Sequence, residues 1–140
     1  MFLFGKKLDK QCVEENCNDE FIDIKNKVEL EGRSGKPPNL REIGAATWLY
    51  LHNMANKYPE DPNSSDKERY KNWIYHFSNL YPCKVCRNGM KKILENNPPS
   101  LNDRKDFVLW LCEFHNKVNQ ELGAKTYKCN YQDLLKKFNN

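Results

Sequence analysis

The stretch FVLWLCEFHNKVNQELG, Phe107–Gly123, decides the fold. Phe107, Trp110, Leu111, Phe114, Val118 and Leu122 recur at the spacing of one helix face, and His115 and Asn119 fall on that same face. Gly123 follows where a helix C′ residue belongs. The spacing predicts a helix from about Asp103 to Leu122. An imidazole and an amide on a buried stripe need partners, because an unpaired buried polar group costs about 1–3 kcal/mol. They bond each other or the backbone, or they face a ligand.

Working outward, REIGAATWLYLHNMANK at 41–57 puts Gly44, Thr47, Trp48, Leu51, His52 and Ala55 on one helical face. YPEDPNSS interrupts it. Ser65-Asp-Lys-Glu68 reads as a capping box for a second helix that buries Tyr70, Trp73, Ile74 and Phe77 and stops before Pro82. A third helix is predicted from near Cys83 to about Glu95, ended by NNPPSLN, and a short last one over Gln132–Lys137. There is no strand pattern and no internal repeat. The fold class is therefore all-α: a four-helix up-and-down bundle with a short fifth helix. Within it, His52, His115, Asn119, Trp48 and Trp110 converge, which suggests an aromatic slot for a planar polar ligand.

Composition bounds the function. The chain has 140 residues, a net charge of +4 and a mean hydropathy of −0.92. Basic residues are spread rather than blocked, so a nucleic-acid arm is not expected. No stretch is apolar enough to span a membrane. MFLFGKK is too short for a signal-peptide core. Residues 1–36 read as a flexible arm, with at most a short helix near Phe21–Leu30, and residues 37–140 as the folded domain.

Six cysteines fall as Cys12/Cys17, Cys83/Cys86 and Cys112/Cys129. Spacing alone does not determine how they pair. In YPCKVC, Tyr81–Cys86, two cysteines three apart share a helix face beside Pro82, which suits a first helical turn. A thiolate there gains from the helix dipole and free N–H groups. Such a pair can relay electrons, staple the fold or bind zinc. A zinc ribbon wants a second CxxC or His/Cys knuckle, a c-type haem wants His where Arg87 stands, and a thioredoxin-like site wants a βαβ context. A bond between Cys112 and Cys129 would tie the last short helix to the fourth and stabilise by roughly 3 kcal/mol in the chain-entropy model.

Three blocks in order, REIGAATWLYLHNMANKYP, FSNLYPCKVC and WLCEFHNKVNQELGAKTYKC, resemble the Erv/ALR family of FAD-dependent sulfhydryl oxidases over about Pro37–Cys129. The resemblance implies FAD at the bundle mouth and Cys83–Cys86 as the catalytic disulfide, with Cys86 toward the flavin and Cys83 toward the incoming thiol. It implies Cys112–Cys129 as a structural disulfide and Cys12/Cys17 as the shuttle pair. FAD contacts implied by family match are Arg41, Gly44, Thr47, Trp48, His52, Cys86, His115, Asn116, Val118, Asn119 and Lys125.

The implied partners are cysteine-rich protein substrates or an import-receptor oxidoreductase, with oxygen or cytochrome c as electron acceptor. The chain departs from the family pattern in two places. Lys36 stands before Pro37, and Glu95 near the helix-three position, where covalent dimers carry cysteines, so a non-covalent homodimer is expected. NYQDLLKKF lacks the tryptophan that several members place after the last cysteine, which leaves Tyr131 or Phe138 near the adenine. Oxidised cysteines without a signal or anchor point to the mitochondrial intermembrane space. The competing readings are a zinc-binding helical interaction module and a scaffold that keeps the fold without the activity.

Overall fold

Asn39, Asn63, Cys83, Asp103 and Asn130 each stand in extended backbone before a helix, and the side chain of each accepts an N–H from the first turn. These caps open five helices: α1 Leu40–Asn56, α2 Ser64–Leu80, α3 Lys84–Asn96, α4 Arg104–Glu121 and α5 Tyr131–Lys137. The computed structural model describes residues 39–138. Cys12, Cys17 and the predicted arm helix lie outside the described residues. No strand occurs among the described residues, and the architecture is the expected all-α bundle with a short fifth helix.

Two predicted starts move. Helix α2 opens two residues earlier than the Ser65 box requires, because Asn63 and Asp66 form the reciprocal pair: Asp66 N donates to Asn63 Oδ1 at 2.8 Å, and Asn63 N to Asp66 Oδ2 at 3.1 Å. Asparagine caps as well as serine, and an aspartate at N3 closes the box. Pro82 is not in the first turn of α3. It lies before the cap, in a tight turn where Cys83 N donates to Tyr81 O at 2.7 Å. The cap is Cys83 itself, whose Sγ accepts from Cys86 N at 3.2 Å.

Helix α4 is the centre of the packing and touches α1, α3 and α5. It is therefore buried on more than one side, and Phe107, Val108, Trp110, Leu111, Cys112 and Phe114 all sit in the core. Leu122, expected on the inward stripe, is 73% exposed. The helix has ended there: Gly123 takes φ 66°, and Gly123 N and Ala124 N donate to Gln120 O and Asn119 O in a Schellman turn. Leu122 itself keeps helical angles and its bond to Val118 O, and at this last turn it borders the cavity beside Cys86 instead of packed side chains.

The α1–α2 connection is tied to the start of α4. Tyr58, fully buried, donates its hydroxyl to Leu101 O at 2.8 Å. Arg104 Nε donates to Tyr58 O at 2.6 Å, and Arg104 pairs with Glu60 at 2.9 Å. Trp110 donates Nε1 to Asn97 O and stacks between Phe107 and Phe114, so it is a core residue rather than part of the slot.

Leu111→Ala should cost about 2–5 kcal/mol, read as a lowered urea midpoint at unchanged slope. Tyr58→Phe, which leaves Leu101 O without its buried donor, should cost about 1–3 kcal/mol in the same measurement.

Candidate functional site

The structure joins Cys83 to Cys86, and Cys112 to Cys129, by disulfide bonds. The first bond sits at the N-terminal end of α3, where unpaired N–H groups and the helix dipole favour negative charge. Alone among the five helices, α3 has no acidic residue in its first turn. Arg87, one turn on, donates from its guanidinium to Tyr81 O at 2.6 Å.

Cys86 lines a cavity of about 340 Å³ with Arg41, Gly44, Thr47, Trp48, Phe77, Tyr81, Met90 and Val118, while Cys83 does not. A second cavity of about 650 Å³ is walled by His52, His115, Asn119, Tyr127, Lys128, Asp133, Leu134, Lys137 and Phe138. Both share Arg41, Ala45 and Trp48 along α1. Side by side along α1, the two are together called the trough, with Cys86 bordering one end and α5 the other.

Aromatic rings build its wall. His115 stacks on Trp48 with centroids 3.8 Å apart and planes 10° apart. Phe138 stacks on His52 at 4.2 Å and 8°. His52 Nε2 and His115 Nδ1 share a hydrogen bond at 3.0 Å. Burial pushes His52 down to about 3, helped by the charges of His115 and Lys137. Burial, and then Lys137, pushes His115 down to about 4. Both rings are neutral at pH 7, so one nitrogen of the pair donates and the other accepts. The second nitrogen of each ring remains for another partner.

Of the residues singled out in the sequence, Arg41, Gly44, Thr47, Trp48, His52, Cys86, His115, Val118 and Asn119 line the trough. Asn116 and Lys125 do not. Asn116 instead clasps the connection after α4, donating to Tyr127 O and accepting from Tyr127 N, both at 2.8 Å. Asn119 Nδ2 donates to Lys125 O at 3.0 Å. The two asparagines thus fold the 123–129 segment back over α4, where Cys129 meets Cys112. Lys128 and Lys137 supply cations to the wall, and Lys137 lies 4.6 Å from the centroid of Tyr127. Sequence reasoning missed these because no period relates a loop and a seven-residue helix to a distant face. The KTYK composition beside Cys129 was the available signal.

The donor set suits a flat, two-part anionic cofactor. Stacked rings accept planar systems, neutral imidazoles offer both donor and acceptor, and Arg41, Lys128 and Lys137 offer charge to a diphosphate between them. Bundle, trough and cap disulfide define the class: a helical protein with a cysteine pair opening onto a dinucleotide-sized site. The sequence profile of the Erv1 / Alr family matches residues 45–139. The chain is 36% identical over 107 residues to the FAD-linked sulfhydryl oxidase ERV1 of Arabidopsis thaliana, covering 76% of this chain and 56% of that one. It is 34% identical over 99 residues to the mitochondrial FAD-linked sulfhydryl oxidase ERV1 of Saccharomyces cerevisiae, covering 71% and 52%. The chain thus spans about half the length of these curated relatives. The crystal structure of the yeast Erv1 core superposes with a TM-score of 0.71 at 33% identity, covering 76% of this chain and 89% of that one. That of the FAD binding domain of yeast Erv1 gives 0.68 at 30%, covering 74% and 100%. The chain belongs to the Erv1 / Alr family.

The histidine pair makes stability pH-dependent. Unfolded histidines take up protons near their ordinary value of 6.5, whereas the folded pair resists until about 4 and about 3. The unfolded chain therefore binds more protons in that window. The stabilisation is fully present above about pH 6.5 and is lost as pH falls through about 4 and then 3. Urea midpoints should drop on acidification from pH 6.5 to 4, and His115→Gln should flatten the drop.

Proposed function

We propose that the chain is an FAD-dependent thiol oxidase with Cys83–Cys86 as its redox centre. The observation that carries this reading is that Cys86, bonded to Cys83, lines the same cavity as Trp48 at one end of the ring-walled trough. Trp48, His52 and His115 would face the ring systems, Arg41, Lys128 and Lys137 the diphosphate, and Gly44, Thr47, Val118 and Asn119 the remaining wall. Asn116 and Lys125 would act by shaping the connection rather than from the wall. When bound, FAD supplies a two-electron acceptor that can release electrons singly, which suits either oxygen or cytochrome c.

The exchange chemistry belongs to the protein's own sulfurs. A substrate thiolate attacks Cys83 Sγ, the Cys83–Cys86 bond breaks, and Cys86 leaves as a thiolate beside the trough. The second substrate thiol attacks the mixed disulfide and releases Cys83. The substrate leaves as a disulfide, oxidised by two electrons, and the Cys83/Cys86 pair is reduced by the same two. Cys83, outside the trough wall, is the sulfur an incoming thiol can meet. Cys12/Cys17 are the shuttle that delivers electrons from a cysteine-rich protein or an import-receptor oxidoreductase.

Exposed Leu49 and Tyr50 on α1 support a non-covalent homodimer. The mitochondrial relatives in Saccharomyces cerevisiae and Schizosaccharomyces pombe support a mitochondrial site, with the intermembrane space as the compartment that suits the chemistry.

The purified protein should be yellow, release flavin on denaturation and oxidise DTT. Cys86→Ser should abolish turnover while keeping the colour. A colourless protein with stoichiometric zinc would overturn the reading. Cys12→Ser with Cys17→Ser should leave DTT oxidation intact and slow a protein substrate at least several-fold. Equal turnover of the protein substrate would remove the shuttle role.

A further inference from the structure

The surface around the Cys83–Cys86 disulfide has an unusual charge pattern. Helix α3 carries Lys84, Arg87, Lys91 and Lys92 before its first acid, Glu95. None of the four is in an ion pair among the described residues. Lys84, Lys91 and Lys92 are exposed. Arg87 is held beside the disulfide by its bond to Tyr81 O, with further N–H donors left over. Large apolar side chains flank the cap: Leu80 is 79% exposed, and Val85, 81% exposed, borders the Cys86 cavity. Lys84, Arg87, the exposed Leu80 and the helix N-terminus thus adjoin the disulfide, Lys91 and Lys92 continue the basic face along α3, and Glu121 stands on the cavity side against Gly89.

We infer that this surface selects thiol substrates whose cysteines lie in acidic segments with an adjacent apolar residue. The inference rests on the oxidase reading and names its substrate class. Carboxylates flanking the incoming cysteine would meet Lys84 and Arg87, and an apolar residue beside it would cover Leu80. Like charges around the cysteine would repel. Such a field raises the encounter rate at low salt and fades as salt screens it. A sequence of this chemistry exists within the chain: VEENCNDEFIDI, residues 13–24, carries Glu14, Glu15, Asp19, Glu20 and Asp23 around Cys17, together with Phe21, Ile22 and Ile24, and contains no lysine or arginine.

The test uses the full-length, FAD-loaded chain with Cys12→Ser and Cys17→Ser. Two synthetic dithiol peptides of residues 10–26 are compared as substrates, one native and one with those five acids replaced by lysine, and DTT serves as the neutral reference. Normalised to DTT, kcat/KM for the acidic peptide should exceed that for the basic one about tenfold at low salt, shrinking to below about threefold at 0.5 M salt. Lys84→Glu should narrow or invert the ratio. A second readout needs no flavin. In Cys86→Ser, the free Cys83 thiolate attacks a peptide–thionitrobenzoate disulfide, forming the Cys83–peptide bond and releasing thionitrobenzoate. Its rate should follow the same charge order. Equal rates for the two peptides at low salt, with DTT oxidised, would overturn the inference and leave the oxidase reading standing. Failure to oxidise DTT would overturn the oxidase reading, and this one with it.

Discussion

The shared hydrogen bond between His52 and His115 is the constraint around which the rest is arranged. It joins α1 to α4 across the site at 3.0 Å. At least one ring must stay uncharged for it to persist, since two imidazoliums have no acceptor to share. Burial and the nearby lysine hold them neutral. The bond fixes the tilt of each ring, and each ring then carries a partner: Trp48 on one side and Phe138 on the other. The result is a column of four rings drawn from α1, α4 and the end of α5. Its rigidity comes from packing on Phe114, which in turn stacks on Trp110 in the core. The trough is the exposed side of this column.

The disulfide at α3 follows a different logic. A sulfur used as an N-cap is a weaker acceptor than the asparagine or aspartate oxygen at the other four helices. The fold gives up some capping strength to place a bond between sulfurs at the positive end of a dipole. One sulfur of that bond borders the trough and the other does not. A single covalent link therefore spans the boundary between the cavity and the outer surface. Gly89, one turn after Cys86 on the same face, leaves room for Glu121, whose Oε2 lies 2.6 Å from where a Cβ would stand.

Much of this architecture was legible because helix periodicity and end signals act locally. The inward face of α4, the Gly123 stop and the His52, Trp48 and His115 placements all follow from spacing of three and four residues. What failed were features decided by geometry at the ends. Asn63 displaced Ser65 as a cap because both are competent and only the backbone angle chooses between them. Leu122 kept the helical period but, at the last turn, faces a cavity and not a packing partner. Asn116 read as a ligand contact, yet its amide is used by Tyr127, since backbone groups in a folded-back loop need partners that sequence spacing does not announce. Phe138, by contrast, was legible only through the absence of a tryptophan after Cys129. Its stacking on His52 depends on where α5 docks.

Helix α5 has seven residues, too few to persist alone in water. It is held by Cys129, by the buried Leu134 and by Asn56 Nδ2 bonding Leu134 O at 3.3 Å. It also supplies Asp133, Leu134, Lys137 and Phe138 to the trough. The Cys112–Cys129 bond is the covalent tie between α4 and the segment that carries this short helix. One wall of the site thus depends on a bond between two sulfurs that lie seventeen residues apart in the sequence.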